Sequence, residues 1–487
     1  MQHSIPPGGR VSGFRLAKLL GEWRRRGARH GSADLAAAVR MLVLDGRLPA
    51  GTRLPAEREM AEALPVSRTM ISAALDQLRA EGLVASRRGA GTWISLPSGG
   101  ALVGGADTPL VGSSMVDFAR AAPPAIPGLL PAFDAVRARL PEQLLDHGYY
   151  EHGVPELRRR IAQRFEARGL PTSPDQILVT SGAQHALALV LRMLTGPGDR
   201  VLVEQPSYPN ALDAIKAMSA IPVPVAMTDT GWDLPGIAAA LRQAAPRMAY
   251  VVPDFHNPTG HRMDAATRAE LADLARRART PLVVDETIVE LDLDGDPLDG
   301  PPPVASFADD LVVTLGSASK SHWAGLRIGW IRASTEVVHR LVSSRTALDL
   351  GSAVLDQMVL AELLTEPEAG LAERRRHLAG QRDVLMAGLR EHLPQWRFDR
   401  PGGGLSVWCE LDAPVSTRIA VVAQNHGMRL APGARFGAHG GFERWLRLPF
   451  VLPSDVLREA VRRLGLVAAA VSGGGSVPHQ EVDVPVA

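Results

Sequence analysis

Lysine is nearly absent from this chain. Of its 53 Lys and Arg side chains, only Lys18, Lys216 and Lys320 are lysine. Arginine carries charge as well as lysine does, but it keeps its proton. Lysine can lose its proton, and the neutral amine can then attack a carbonyl to form an imine. Lys320 stands at the end of "GSASK", among small hydroxyl residues, with Arg327 in the apolar run that follows. Ser317 and Ser319 offer hydroxyls and Arg327 a permanent cation, groups suited to holding a phosphate.

Five further stretches carry chemistry that complements an imine lysine. In "VTSGAQHALALVL" (179–191), Ser181, Gly182, Ala183 and Gln184 open a helix after a strand. Free backbone N–H groups and the helix dipole make such an end an anion site. "VEQPSYPNA" (203–211) places Tyr208 just past a strand, where its ring can stack on an aromatic cofactor. "PDFHNPTG" (253–260) places Asn257 in a turn, with an amide able to bond a phenolic oxygen. "PLVVDET" (281–287) ends an apolar strand on Asp285, whose carboxylate needs a cationic partner such as a protonated pyridine nitrogen. "WLRLPFV" (445–451) sets Arg447 in an apolar segment, where a substrate carboxylate would balance it.

The elements that must position these residues are legible. From about residue 117 to residue 471, apolar runs such as QILVT, RVLVEQP, RMAYVVPDF, PLVVDET and DLVVTLGS alternate with amphipathic helices. That alternation predicts an α/β domain, a mostly parallel sheet with helices on both faces. The chemical groups follow the strand ends, as expected for pyridoxal 5′-phosphate as cofactor. Residues 117–471 resemble fold-type I aminotransferases, "GVPELRRRIA" (153–162) included. The resemblance implies a smaller C-terminal subdomain and a site at a homodimer interface. It makes Lys320 the catalytic aldimine lysine and Asp285 the partner of the ring nitrogen. Tyr208 and Asn257 then contact the ring. Ser181, Gly182, Ala183, Gln184, Ser317, Ser319 and Arg327 form the phosphate end, and Arg447 binds a substrate or effector carboxylate. Two positions depart from the family. Relatives commonly carry a tyrosine two or three residues after the aspartate, bonded to the phenolic oxygen; here Thr287 and Ile288 stand there. A second substrate arginine just after the stacking tyrosine, seen in a relative that senses a γ-amino acid, is replaced by Asn210.

Residues 32–94 read as a separate module of three helices and a hairpin. The first helix runs through SADLAAAVRMLVLDG, with Ser32 as cap and Gly46 as stop. Pro55 suits the first turn of the second, with Glu57 and Glu59 near its positive end. Ser67 caps the third, whose inner face holds Ile71, Leu75 and Leu78. That leaves Arg68, Thr69 and Met70 pointing outward. "VASRRGAGTWIS" follows as strand, glycine turn and strand. The module resembles the winged helix-turn-helix of GntR-type transcription regulators through GRLPAGTRLPAER (46–58), VSRT (66–69) and RRGAGT (87–92). The resemblance implies that Arg58, Ser67, Arg68, Thr69, Arg88 and Gly89 contact double-stranded DNA. Arginine can fork onto guanine or phosphate, and a wing glycine lets backbone approach the groove.

Charge separates the same two parts. Net charge is +1, yet residues 10–91 hold 15 Lys and Arg against 8 Asp and Glu, while the remainder holds 38 against 44. A basic module joined to an acidic one suggests a polyanion partner for the first alone. Residues 1–31 contain a helix-like stretch as an N-terminal extension, residues 95–116 form a Gly/Ser/Pro-rich linker, and residues 472–487 form a disordered tail. Apolar content is 46%, and no run of about 18 apolar residues predicts a membrane span. The N-terminus lacks a signal pattern, and Cys409 is the sole cysteine, so a cytoplasmic location is expected. A GntR-type reader linked to an aminotransferase-like domain is identified as a member of the MocR subfamily. The implied function is transcription control in response to the cofactor, or to an amino compound exchanging with Lys320. The alternative is a working aminotransferase with an accessory reader.

Overall fold

The computed structural model describes residues 10–20, 23, 31–44, 48, 52–80, 83–87, 91–94 and 115–472. These divide into two compact units, with the break at residue 115. Most of the predicted linker (95–114), the tail from residue 473 onward, Gly46, Arg88 and Gly89 lie outside the described residues.

The first unit holds α1 (Gly13–Leu20), α2 (Gly31–Leu44), α3 (Glu57–Ala63), α4 (Arg68–Ala80), β1 (Val84–Arg87) and β2 (Gly91–Ile94). The last two pair antiparallel as the wing. Ile71, Leu75 and Leu78 recur every three to four residues and are buried with Leu35, Val39 and Ile94. Three details differ from the expectation. Helix α2 starts at Gly31, so Ser32 lies inside it rather than capping it. Pro55 precedes the cap of α3, Ala56, because the extended backbone at residue 56 delays the helix. Residues 10–20 of the N-terminal extension also belong with the reader. Val11 and Leu16 are fully buried in the same core. Gly13 N–H, at the start of α1, donates to Glu59 Oε1 at 2.8 Å. The carboxylate of α3 thus satisfies one of the four free amides that begin a helix.

The second unit begins with β3 (Val116–Phe118). Val116 therefore belongs to the domain and not to the linker, because its strand pairs in parallel with residues 428–430. The remaining strands are β4 (Ile177–Thr180), β5 (Arg200–Gln205), β6 (Ile221–Thr228), β7 (Gly231–Trp232), β8 (Met248–Val251), β9 (Leu282–Asp285), β10 (Val312–Ser317), β11 (Gly329–Arg332), β12 (Ser406–Glu410), β13 (Met428–Pro432) and β14 (Trp445–Pro449). Eight form one sheet in the order β4-β11-β10-β9-β8-β5-β6-β7. Strands β10, β9, β8, β5 and β6 run parallel, while β11 is antiparallel to both β10 and β4, and β7 to β6. Side chains alternate between two cores. Leu202, Leu282 and Val284 face one, and Val201, Val203 and Val283 the other. Helices cover both faces, which is why these strands read as continuous apolar runs. The predicted smaller subdomain is the four-stranded sheet β12-β14-β13-β3; the helix Ser416–Asn425 packs on β13, and the helix Ser454–Ser472 packs on that helix and on Pro367–His392.

Candidate functional site

A cleft of about 250 Å³ lies where the large sheet's central strands end. Strand β4 ends at Thr180, and the chain turns through Ser181 and Gly182 into α7 (Ala183–Leu194; α5 and α6 are Leu129–Gln143 and Pro155–Ala167). The turn needs glycine. Gly182 has φ +94, and a Cβ there would sit 2.6 Å from Arg327 Nη2. A Cβ on Gly329 would lie 2.6–2.8 Å from the Gly182–Ala183 backbone. This close approach brings Arg327 beside the start of α7, where Nη2 donates to Ser181 O at 3.2 Å. The free amides of α7 and a guanidinium thus meet at one end of the cleft, a cradle for a dianion.

Ser317 and Ser319 adjoin that end, their hydroxyls 3.0 Å apart. Lys320 follows in a π-helical turn, Ser319–Trp323. Its Nζ donates to Ala121 O at 2.9 Å. Burial, and then the nearby Arg447 guanidinium, lower its ammonium pKa to about 7. A neutral amine at neutral pH is what an attack on a carbonyl requires.

Asp285, at the end of β9, accepts from Tyr250 Oη at 2.7 Å and from Thr287 N–H at 2.9 Å. Tyr208 follows β5 and caps α8 (Pro209–Ala217). Asn210 Nδ2 donates to Tyr208 Oη at 2.9 Å. Burial and the Asp285 charge push the Tyr208 phenol up to about 12, so it stays protonated as a neutral ring. Arg447, on β14, is 1% exposed. It donates through Nη1 to Asn257 Oδ1 at 3.2 Å and through Nη2 to Ala119 O. Its Nε has no partner in the protein. Among the described residues no carboxylate lies within 4.0 Å of its guanidinium, and burial lowers its pKa to about 10.

Ala183, Gln184, Tyr208, Asn257, Asp285, Ser317, Ser319, Lys320, Arg327 and Arg447 all line the cleft. Ser181 and Gly182 do not. The Ser181 hydroxyl turns away to Ser352 Oγ, at 3.3 Å, and Gly182 serves the turn. Three contributors escaped sequence reasoning. The carbonyls of Ala119 and Ala121 carry no side-chain signal at all. Tyr250 lies in the middle of a buried strand, where an aromatic residue passes for core. One signal was available, since the chain has only four tyrosines and this cleft holds two.

In the reader, Arg68 and Thr69 are exposed on the first turn of α4. Ser67 Oγ accepts from Met70 N–H at 3.2 Å, so the hydroxyl caps the helix. Arg58 is exposed and pairs with Glu62 at 3.1 Å, a contact weak enough to yield to phosphate.

Comparison with known proteins agrees with this geometry. The family of bacterial regulatory proteins called gntR matches residues 32–94, and aminotransferase class I and II matches residues 136–464. The probable rhizopine catabolism regulatory protein MocR of Rhizobium meliloti is 28% identical over 473 residues, 90% of this chain and 94% of that protein. The 2-aminoadipate transaminase of Thermus thermophilus is 32% identical over 309 residues, 62% of this chain and 77% of that enzyme. LysN, an α-aminoadipate aminotransferase from Thermus thermophilus solved with N-(5′-phosphopyridoxyl)-L-leucine, matches with a TM-score of 0.67 and 29% identity. That match covers 74% of this chain and 93% of LysN. The dianion cradle, the lysine of lowered pKa and the buried aspartate fit pyridoxal 5′-phosphate, the cofactor of this fold. The chain belongs to the MocR-type gntR regulators, in which a winged reader is fused to a pyridoxal-phosphate-dependent class I and II aminotransferase domain.

Proposed function

We propose that this regulator senses an amino compound carrying a carboxylate, and that occupancy of the cleft alters how a homodimer reads paired DNA half-sites. The observation that carries the proposal is Arg447, a buried guanidinium with an unpartnered Nε, lining the same cleft as Lys320. An α-carboxylate would satisfy it, while its amine competes with Lys320 for the cofactor. When bound, the cofactor supplies an aldehyde that condenses with primary amines. In this reading Ala183, Gln184, Ser317, Ser319 and Arg327 hold its phosphate. Tyr208 stacks on its ring, Asn257 faces the phenolic oxygen and Asp285 the ring nitrogen.

Two hydrogen bonds from the cleft offer a route for the signal. Lys320 and Arg447 both donate to carbonyls of residues 119–121. That segment directly follows β3, the first described element after the predicted linker. Ligands that draw either cation away from these carbonyls loosen the start of the domain. Domain closure would then be read out through the linker. In the reader, Arg58, Ser67, Arg68 and Thr69, with Arg88 and Gly89 at the wing, would meet DNA.

A second reading, an active transaminase, is favoured by the joint presence of Lys320, Asp285 and Arg447 in one cleft. The deciding experiment is the near-visible spectrum of purified protein, treated with borohydride either alone or after a panel of amino acids. A band that moves with particular amines, is trapped on Lys320 only when borohydride acts without them, is lost in Lys320→Ala, and gives no keto acid on turnover supports sensing. Sustained keto-acid production supports the transaminase. A protein that stays colourless with added cofactor defeats both.

A further inference from the structure

The gntR-matched residues begin at 32, yet the chain before them extends the wing sheet. Val11 N–H donates to Arg53 O at 3.0 Å. Leu54 N–H donates to Thr92 O and Ile94 N–H to Thr52 O, both at 2.9 Å. Residues 10–11 thus run beside residues 52–54, which run beside β2. Arg10 bridges Arg53 in parallel, and Arg53 bridges Trp93 antiparallel. Bridged residues point to one face of a sheet and their chain neighbours to the other. The neighbours Val11, Leu54 and Ile94 are buried in the reader core. Arg10, Arg53 and Trp93 therefore form a row on the outer face, with both arginines exposed.

That row is unfavourable on its own, because like charges directly across neighbouring strands repel. Glu59 meets Arg10 Nη2 at 3.2 Å, but the two side chains are 67% and 37% exposed. A pair so open to water is weak enough to exchange for another anion. Among the described residues, no carboxylate lies within 4.0 Å of the Arg53 guanidinium. It rests on the wing instead. A Cβ on Gly91 would sit 3.1 Å from Arg53 Nε and 3.2 Å from Nη2. We propose that Arg10 and Arg53 grip DNA phosphates beside the groove the wing approaches, so that the N-terminal extension adds a backbone contact to the reader. The guanidinium fork matches phosphate oxygens. Such contacts raise affinity and fix orientation without reading sequence. The inference rests on the reader binding DNA.

Arg10→Ala and Arg53→Ala, each in the full-length protein, test this by fluorescence anisotropy. The probes are an A·T-rich and a G·C-rich duplex, titrated over a series of salt concentrations. Each alanine variant should bind about three- to tenfold more weakly near physiological salt, equally on both duplexes. Its plot of log affinity against log salt should also be shallower by about one unit. Arg10→Lys and Arg53→Lys keep the charge and should stay close to the parent. Lys18→Ala removes the same charge from an exposed position on α1 and should keep the parental slope. Alanine variants with parental affinity and slope overturn the proposal. So does an equal loss in Lys18→Ala, since net charge would then be the cause. Lysine variants as weak as alanine overturn it too, since packing would be the cause, and a loss confined to one duplex would mean base reading. A parent that binds neither duplex defeats the DNA-binding reading itself, whereas a binding parent with unchanged alanine variants defeats only this contact.

Discussion

At the scale of single residues, two buried basic groups sit in one cleft, and the permanent cation shapes the titratable one. Lys320 has its pKa lowered to about 7 by burial and then by Arg447. Its reactive form is the neutral amine, which gains as pH rises. The rate of covalent cofactor uptake should therefore climb about tenfold per pH unit below 7 and level off above it. Stopped-flow absorbance across pH 5.5–9 checks this. Arg447→Ala removes a like charge, so the midpoint of that profile should move upward. The same variant should weaken amino-acid binding about ten- to hundredfold, the loss of a charge-assisted contact, while sparing cofactor affinity. Equal loss of both would assign Arg447 to the cofactor or to the fold.

At the scale of elements, short strands end in turns that deliver one functional group each. Helix α7 starts where Gly182 and Gly329 let two backbone segments touch, and Arg327 arrives by the same approach. In the reader, α4 buries Ile71, Leu75 and Leu78 and leaves Arg68 exposed on its first turn. Arg68→Ala should cost about 1–3 kcal/mol of operator binding and leave the visible spectrum of the bound cofactor unchanged. Fluorescence anisotropy with operator DNA measures the first, absorbance the second. Unchanged DNA affinity would remove Arg68 from the interface. Helix α1 adds a feature to this module: it lies before the gntR-matched residues, yet Leu16 is 1% exposed within the reader core.

At the scale of the whole molecule, the large unit carries an apolar surface that supports the proposed homodimer. Leu144, Leu145 and Tyr149 are 72%, 90% and 60% exposed, and Leu350 is 54% exposed. The two stretches are tied together by Arg345, which donates to Glu151 O at 3.2 Å and also pairs with Asp349. Apolar side chains gathered on a surface mark association sites, and a two-fold dimer uses one such patch twice. Leu145→Asp combined with Leu350→Asp should halve the mass seen by sedimentation equilibrium and weaken binding to paired half-sites. A variant that keeps the parental mass would place the dimer contact elsewhere. Among the described residues, no helix is long and apolar enough to cross a membrane.

Which residues could do chemistry, and on which elements they fall, is written in the order of amino acids alone. Glycine turns, apolar strand runs and helix caps are short-range signals, so Lys320, Asp285, Asn257, Tyr208 and Arg447 were each legible at a strand or turn. The reader was legible for the same reason, through the Ser67 cap and the apolar spacing of its third helix, whereas the expected Ser32 cap was not formed. What those residues touch emerged with the folded chain. The carbonyls of Ala119 and Ala121 hold Arg447 and Lys320 across 328 and 199 residues of sequence, and a backbone acceptor leaves no trace in residue type. Tyr250 became a site residue once β8 was set beside β9. The antiparallel insertion of β11 between β10 and β4 was equally hidden. Strand order and side-chain contact depend on which distant segments pack together, and apolar periodicity is the same whichever neighbour a strand finally meets.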